Sequence, residues 1–174
     1  SLADYKGSGY DRGHLAPAGD MKRDKTSMSQ SFLLSNISPQ NAAFNRVGWK
    51  KLESLVRAWA ENNALYVTTA GVLENNLKTI GFNQVSVPNR FYKLIYNPKD
   101  QKIIAFLIPN KKVLHPLASY IVSVDKIEDL TGIDFYPQLE DDLEEKLESQ
   151  KSIKGWSFDS KLTSVPITNN SNSI

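Results

Sequence analysis

His14 and His115 are the two side chains of this 174-residue sequence whose charge ordinarily changes near neutral pH. His115 precedes Pro116 in an apolar stretch and reads as a structural histidine. His14 closes the run Tyr10-Asp11-Arg12-Gly13-His14 and leads into Leu15-Ala16-Pro17. That run packs an acid, a guanidinium, a hinge glycine and an imidazole into four residues. A neutral imidazole accepts a proton at physiological pH, with Asp11 or a backbone carbonyl as the group that fixes its tautomer. Arg12 offers a planar fork of donors that matches a phosphate oxygen pair. The same residues also suit a loop histidine held by hydrogen bonds, and composition alone leaves both readings open.

A second cluster follows in Asn36, Asn41, Asn45, Glu53 and Arg57. On a helix, Asn45 and Glu53 lie two turns apart and about 80° apart around the axis. Glu53 and Arg57 form an i,i+4 pair, worth about 0.3–0.5 kcal/mol when exposed. One reading is a solvated helix face. The other is a site with an amide oxygen, a carboxylate and a cation. A neutral amide oxygen suits a Mg²⁺ ion that keeps most of its waters and takes further ligands from a substrate phosphate. Nothing in this cluster suits zinc, which wants several His or Cys ligands: the cluster has no His and the chain has no Cys.

The elements that must position these groups are legible in outline. Residues 1–31 read as polar and loop-like, punctuated by Gly7, Gly9, Gly13, Pro17 and Gly19. Phe32–Ile37 reads as a buried strand or extended segment, and Ser38-Pro39-Gln40-Asn41 as a turn. Residues 44–61 form the best helix, with Trp49, Leu52, Leu55, Val56 and Trp59 on one stripe. Strands are expected at Leu65–Thr69, Val85–Val87, Phe91–Tyr96 and Ile103–Ile108, the last two joined by a turn at Asn97-Pro98-Lys99-Asp100. Tyr120–Val124 is a further strand candidate. Ser123 can cap a brief helix ending near Gly132, and Leu139–Leu147 reads as an acidic amphipathic helix. Irregular alternation of strands and helices favours α+β over a parallel α/β sheet.

The run Asp11-Arg12-Gly13-His14-Leu15-Ala16-Pro17-Ala18 resembles the DRGH signature of the sugar-non-specific DNA/RNA endonucleases, the ββα-metal group. Later features fall in step. Phe32-Leu33-Leu34-Ser35-Asn36-Ile37-Ser38-Pro39-Gln40 is similar to the family's second block, and Phe44-Asn45, Trp49, Leu52-Glu53 and Arg57 to its metal helix. The match is specific over residues 9–57 and extends through the strands to about residue 135. The resemblance implies a central antiparallel sheet flanked by helices. It implies His14 as general base, Asn45 as the protein ligand of a hydrated Mg²⁺ (Mn²⁺ substituting) and Glu53 acting through metal-bound waters. Arg12 and Arg57 would hold the phosphate, and Asn36 would shape the nucleic-acid site. Many family members form homodimers. The family places strands and an arginine upstream of the DRGH block, where ten residues stand here, so trimming of the chain or a different segment at that sheet edge is expected. An alternative is a catalytically impaired nucleic-acid-binding domain of the same fold; another is a phosphodiesterase for nucleotides or lipids.

Composition sets the frame. Forty per cent of residues are apolar and 23% charged, a globular balance. The longest apolar run is far short of the roughly 20 residues that span a bilayer, so no membrane partner is expected. Net charge is +2, but residues 1–60 carry nine basic and five acidic groups, against seven and eleven in residues 111–174. A basic N-terminal half would face phosphates. Candidate contacts are Lys22, Arg23, Lys25, Arg46, Lys50 and Arg90. A single nuclease domain over 1–165 and a fraying tail over 166–174 are expected. Relatives of this type are often exported, which points to a secreted or periplasmic protein and keeps the mitochondrial type open.

Overall fold

The computed structural model describes residues 1–22 and 24–158. Arg23, the upper end of the expected domain and the expected tail lie outside the described residues. Among the described residues, no helix is long and apolar enough to cross a membrane.

The centre is an antiparallel four-stranded sheet, ordered β3 (Tyr66–Gly71), β6 (Arg90–Asn97), β7 (Lys102–Pro109), β8 (Ile121–Val122). Side chains alternate across the sheet. Phe91, Ile95, Ile104, Phe106 and Ile108 join one core with Trp49, Leu52, Leu55, Val56 and Trp59 of the long helix. Tyr92, Leu94, Ile103 and Ala105 form the core on the other face. That face is covered by α3 (Val124–Thr131) and α4 (Asp141–Glu148), which supply Val124, Ile127 and Leu147. The result is α+β, with a central sheet flanked by helices. As expected, Ser123 caps α3, accepting a hydrogen bond from the Lys126 amide, and Gly132 ends it in the left-handed conformation. Trp156 packs on Trp59, whose indole N–H donates to the Ser157 carbonyl at 2.7 Å.

Two small two-stranded units lie beside this sheet: β4 (Thr79–Ile80) pairs antiparallel with β5 (Val85–Ser86), the strand expected at residues 85–87, and the other carries the DRGH run. β1 (Tyr10–His14) pairs antiparallel with β2 (Ile37–Asn41), with His14 opposite Ile37 and Arg12 opposite Pro39. This corrects three expectations. Residues 10–14 form a strand rather than a loop. Ser38-Pro39-Gln40-Asn41 is strand rather than turn. The apolar run before it is no buried strand: Phe32, Leu33 and Leu34 are exposed, and Leu34–Asn36 form a 3-10 turn. Pro39 is tolerated because the two-stranded hairpin leaves one side of β2 without a ladder partner. Asn110, just past β7, ties β2 to the main sheet. Its Oδ1 accepts from the Asn41 amide at 2.7 Å, and its Nδ2 donates to the Pro39 carbonyl at 3.1 Å.

The long helix is also not α-helical throughout. Asn41 Oδ1 accepts from the Ala43 and Phe44 amides and so starts it. Phe44–Trp49 is then a π-helical stretch, and α2 proper is Lys50–Ala60. Phe44 and Trp49 are fully buried against Phe91. Gly48 has no room for a side chain, because a Cβ there would overlap Val113. Such wide turns recur at functional sites, and this one carries Asn45.

Candidate active site

A cleft of about 340 Å³ runs between the end of β1 and α2. His14, Asn45 and Glu53 all line it, with Gly19, Arg46, Lys50 and Arg57 at its margins. A larger depression of about 440 Å³ opens on the other side of Asn45, lined by Tyr5, Lys6, Tyr10, Asp11 and Arg12. Asn45 lines both, so Arg12 faces this depression and His14 the adjoining cleft.

The four residues of the motif have separate physical jobs. Asp11 accepts from Asn45 Nδ2 at 3.0 Å and from Arg46 Nε and Nη2 at 2.8 and 2.6 Å. The Arg46 fork, then burial opposed by the Asn45 bond, leaves the Asp11 carboxyl below its ordinary range. Asp11 therefore does not fix the tautomer of His14. It fixes the amide of Asn45. Gly13 is buried opposite Ser38, and a Cβ on residue 13 would overlap the fully enclosed side chain of Gln40, two residues further along β2. Any larger residue would separate β1 from β2 beside His14.

His14 is half-buried, and its ring meets Phe32 edge-on at 5.0 Å between centroids. Its Nε2 is buried with no hydrogen-bond partner among the described residues. Burial first, and the Arg12 charge second, hold its imidazole below the ordinary value of 6.5. The neutral form, the one that accepts a proton, therefore dominates at pH 7.

Glu53 lies half-buried on α2. Burial pushes its carboxyl up to about 7, opposed by the charges of Lys93 and Arg57. Arg57 itself pairs with Asp20 at 2.7 Å, not with Glu53 as the i,i+4 spacing suggests. Lys93 was not anticipated. It sits in β6 with 2% of its surface exposed. Its Nζ donates to Thr69 Oγ1 at 2.6 Å and stands 4.9 Å from the centre of the Trp49 ring. Burial lowers its affinity for a proton, while Glu53 and Asp20 raise it. The signal for it was present: period-two alternation puts residue 93 on the same face as Phe91 and Ile95, under α2.

The remaining candidates are placed as follows. Asn36 uses its whole amide to hold the loop after β1. Its Oδ1 accepts from the Ala16 amide, and its Nδ2 donates to the Ala16 and Ser31 carbonyls. Arg46 is paired with Asp11 through Nε and Nη2, and both Arg46 and Lys50 line the cleft. Lys22 and Lys25 are exposed around the turn that begins α1 (Lys25–Gln30). Arg90 is not brought to the cleft, since it pairs with Glu74 at the far end of β6. His115 lies beside Tyr120, away from the cleft.

Among known proteins, the sequence profile described as DNA/RNA non-specific endonuclease matches residues 1–142. Nuclease C1 of Cunninghamella echinulata var. echinulata is 37% identical over 156 residues, 80% of this chain and 62% of that protein. The mitochondrial nuclease EXOG of Xenopus laevis is 35% identical over 157 residues, 80% of this chain and 44% of that protein. Among solved structures, the crystal structure of an EndoG/EndoGI complex matches with a TM-score of 0.75 at 32% identity, covering 80% of this chain and 64% of that one. The chain thus spans between 44% and 62% of the length of these two curated relatives.

Proposed function

This chain belongs to the DNA/RNA non-specific endonuclease family, and from that premise we propose that its cleft hydrolyses phosphodiester bonds of both DNA and RNA, with His14 as general base. The observation that carries the reading is the convergence of His14, Asn45 and Glu53 on one cleft. His14, neutral at pH 7, takes a proton from water as the water oxygen bonds to phosphorus. The bond to the 3′-oxygen breaks, and the displaced alkoxide takes a proton from solvent. Positioned proton transfer of this kind contributes about 10²–10⁴-fold.

The donor set fits a hydrated Mg²⁺, with Mn²⁺ as a substitute. Asn45 commits its amide nitrogen to Asp11, which leaves the amide oxygen as the hard, neutral ligand. Among the described residues, no trio of His, Asp or Glu ligand atoms converges on the cleft, as suits an ion that keeps its waters and takes the rest of its shell from phosphate. When bound, such an ion supplies charge stabilisation at the phosphoryl oxygens. Glu53, two turns along the helix, is placed to hold ion-bound waters. Arg57 and Lys50 supply positive charge around the phosphate in the cleft, and Arg12 adds to it from the adjoining depression.

Among the described residues, the groups lining the cleft are suited to phosphate rather than to a base edge. The Asn36 amide is consumed by backbone groups, and the cationic groups recognise phosphate. Substrate choice by sugar or sequence therefore has no structural basis here, and affinity falls steeply with salt. Supercoiled plasmid and ribosomal RNA incubated with the chain and Mg²⁺ are both cut, and excess EDTA stops both. Salt-dependent binding without cleavage under any divalent ion would support the impaired binding-domain alternative. Turnover of a small phosphodiester as fast as DNA would support another substrate class.

Lys93 belongs to this reading as a positioning residue that favours the ionised form of Glu53. Lys93→Met keeps the volume and removes the charge. The acid limb of kcat/KM then moves to higher pH, because Glu53 protonates more readily, while KM for DNA stays near wild type. An unmoved limb in a folded variant removes this role. A homodimer and export from the cell complete the reading. The dimer is tested by sedimentation equilibrium. Export rests on the family resemblance, the mitochondrial EXOG relative favours the organellar alternative, and fractionation of the source cell separates them.

A further inference from the structure

The sheet face opposite α2 carries a second concentration of charge. Asp125 and Glu128 lie one turn apart on α3, and Glu148 is the last residue of α4. One carboxylate oxygen from each lies within 4.8 Å of the others. Glu148 is 6% exposed, and its Oε1 is buried with no hydrogen-bond partner among the described residues. Burial first, and then the acidic groups Glu128, Glu144, Asp125 and Asp134, push its carboxyl up to about 7. The nearby lysine of α3, Lys126, turns outward to Asp129 at 4.0 Å. Two further buried oxygens on the same helices and their connection, Glu144 Oε1 and Tyr136 Oη, are also unpartnered. The C-terminal pole of α4 adds negative potential where Glu148 sits. A buried carboxylate facing like charges costs several kcal/mol unless it takes up a proton or a cation joins it.

We propose that Asp125, Glu128 and Glu148 bind one calcium-class divalent cation that ties α3 to the C-terminal end of α4. The chemistry selects the ion. The ligands are all hard oxygens. An ion with metal–oxygen distances of about 2.3–2.6 Å reaches oxygens up to about twice that far apart, which matches the observed spread. Glu128 is already aimed, because its Oε1 accepts from the Phe135 amide at 2.9 Å. Asp125 is exposed, so water completes the shell on that side. None of the three lines the cleft between β1 and α2, so the site is independent of the proposed reaction. Its consequence is mechanical: α4 and the segment after it are held to the sheet by the ion. With three side-chain carboxylates, affinity falls in the range of about 10⁻⁵–10⁻³ M.

The test uses the full chain, stripped with EDTA and desalted, and melted at pH 7.5 with and without 5 mM CaCl₂. Calcium raises the Tm of the wild type by about 5 °C and that of Asn45→Ala by the same amount, while Glu148→Gln responds by less than about 1 °C. Without calcium, Glu148→Gln melts at or above the wild type, since it removes a like charge. Calorimetry finds one calcium per chain in both the wild type and Asn45→Ala. If Glu148→Gln does not fold, the exposed Asp125→Asn serves in its place. A wild type with neither a Tm shift nor binding heat overturns the proposal. So does a response kept in Glu148→Gln and lost in Asn45→Ala, which would place calcium in the cleft.

Discussion

His14→Ala lowers kcat on plasmid DNA and on RNA by the same factor, about 10²–10⁴, equivalent to about 2.7–5.4 kcal/mol of transition-state stabilisation. KM stays close to wild type, because the imidazole touches the attacking water and the phosphate is gripped elsewhere. The equality across substrates follows from the shared step. Stability changes little: the ring is half-buried and meets Phe32 only at its edge. The pH dependence carries a sign. His14 and Glu53 both act deprotonated, so activity is present above the higher of their two values and is lost as pH falls through it. Burial and Arg12 hold His14 below 6.5, whereas burial pushes Glu53 up to about 7. The acid limb of wild-type kcat/KM is therefore Glu53's and lies near 7, with His14 steepening it below. A His14→Ala chain that cuts at the wild-type rate would remove His14 from the chemistry.

Asn45→Ala has the second-largest effect. It removes the amide oxygen proposed to hold the ion, and kcat at saturating Mg²⁺ falls by about 10²–10³-fold, several kcal/mol of charge stabilisation. The concentration of Mg²⁺ giving half-maximal rate rises as well. Asp11 loses one of its donors but keeps the Arg46 fork, so stability falls by only about 1 kcal/mol. The combination separates a ligand from a structural residue: large loss of rate, altered metal response, small change in melting. Wild-type rate and Mg²⁺ response in Asn45→Ala would contradict the assignment.

The helix of the site was legible because its apolar stripe is local: Leu52, Leu55, Val56 and Trp59 are all buried. The hairpin opposite it was not. Ser38, Pro39 and Asn41 are turn formers by local chemistry, and β2 exists because it pairs with a strand 27 residues upstream and is bolted to Asn110. Phe32, Leu33 and Leu34 mislead for the complementary reason. They are apolar and consecutive, yet they lie on the surface, where Phe32 serves the His14 ring. Within the site, family resemblance located His14, Asn45 and Glu53 together. The bond from Asp11 to Asn45 and the pairing of Arg57 with Asp20 are contacts between distant segments, which no periodicity encodes. Lys93 is the intermediate case. Its position on the core-facing side of β6 could be counted from the sequence, but its proximity to Glu53 depends on how α2 crosses the sheet.

The central claim is that the Asn45 amide oxygen holds a cation within reach of His14. The direct measurement is an anomalous-difference map from crystals grown with Mn²⁺. One strong peak beside Asn45 Oδ1, in the cleft shared by His14 and Glu53, is the expected result. A map with no peak in that cleft, or with the ion held by other side chains while Asn45 stays bound only to Asp11, would contradict it.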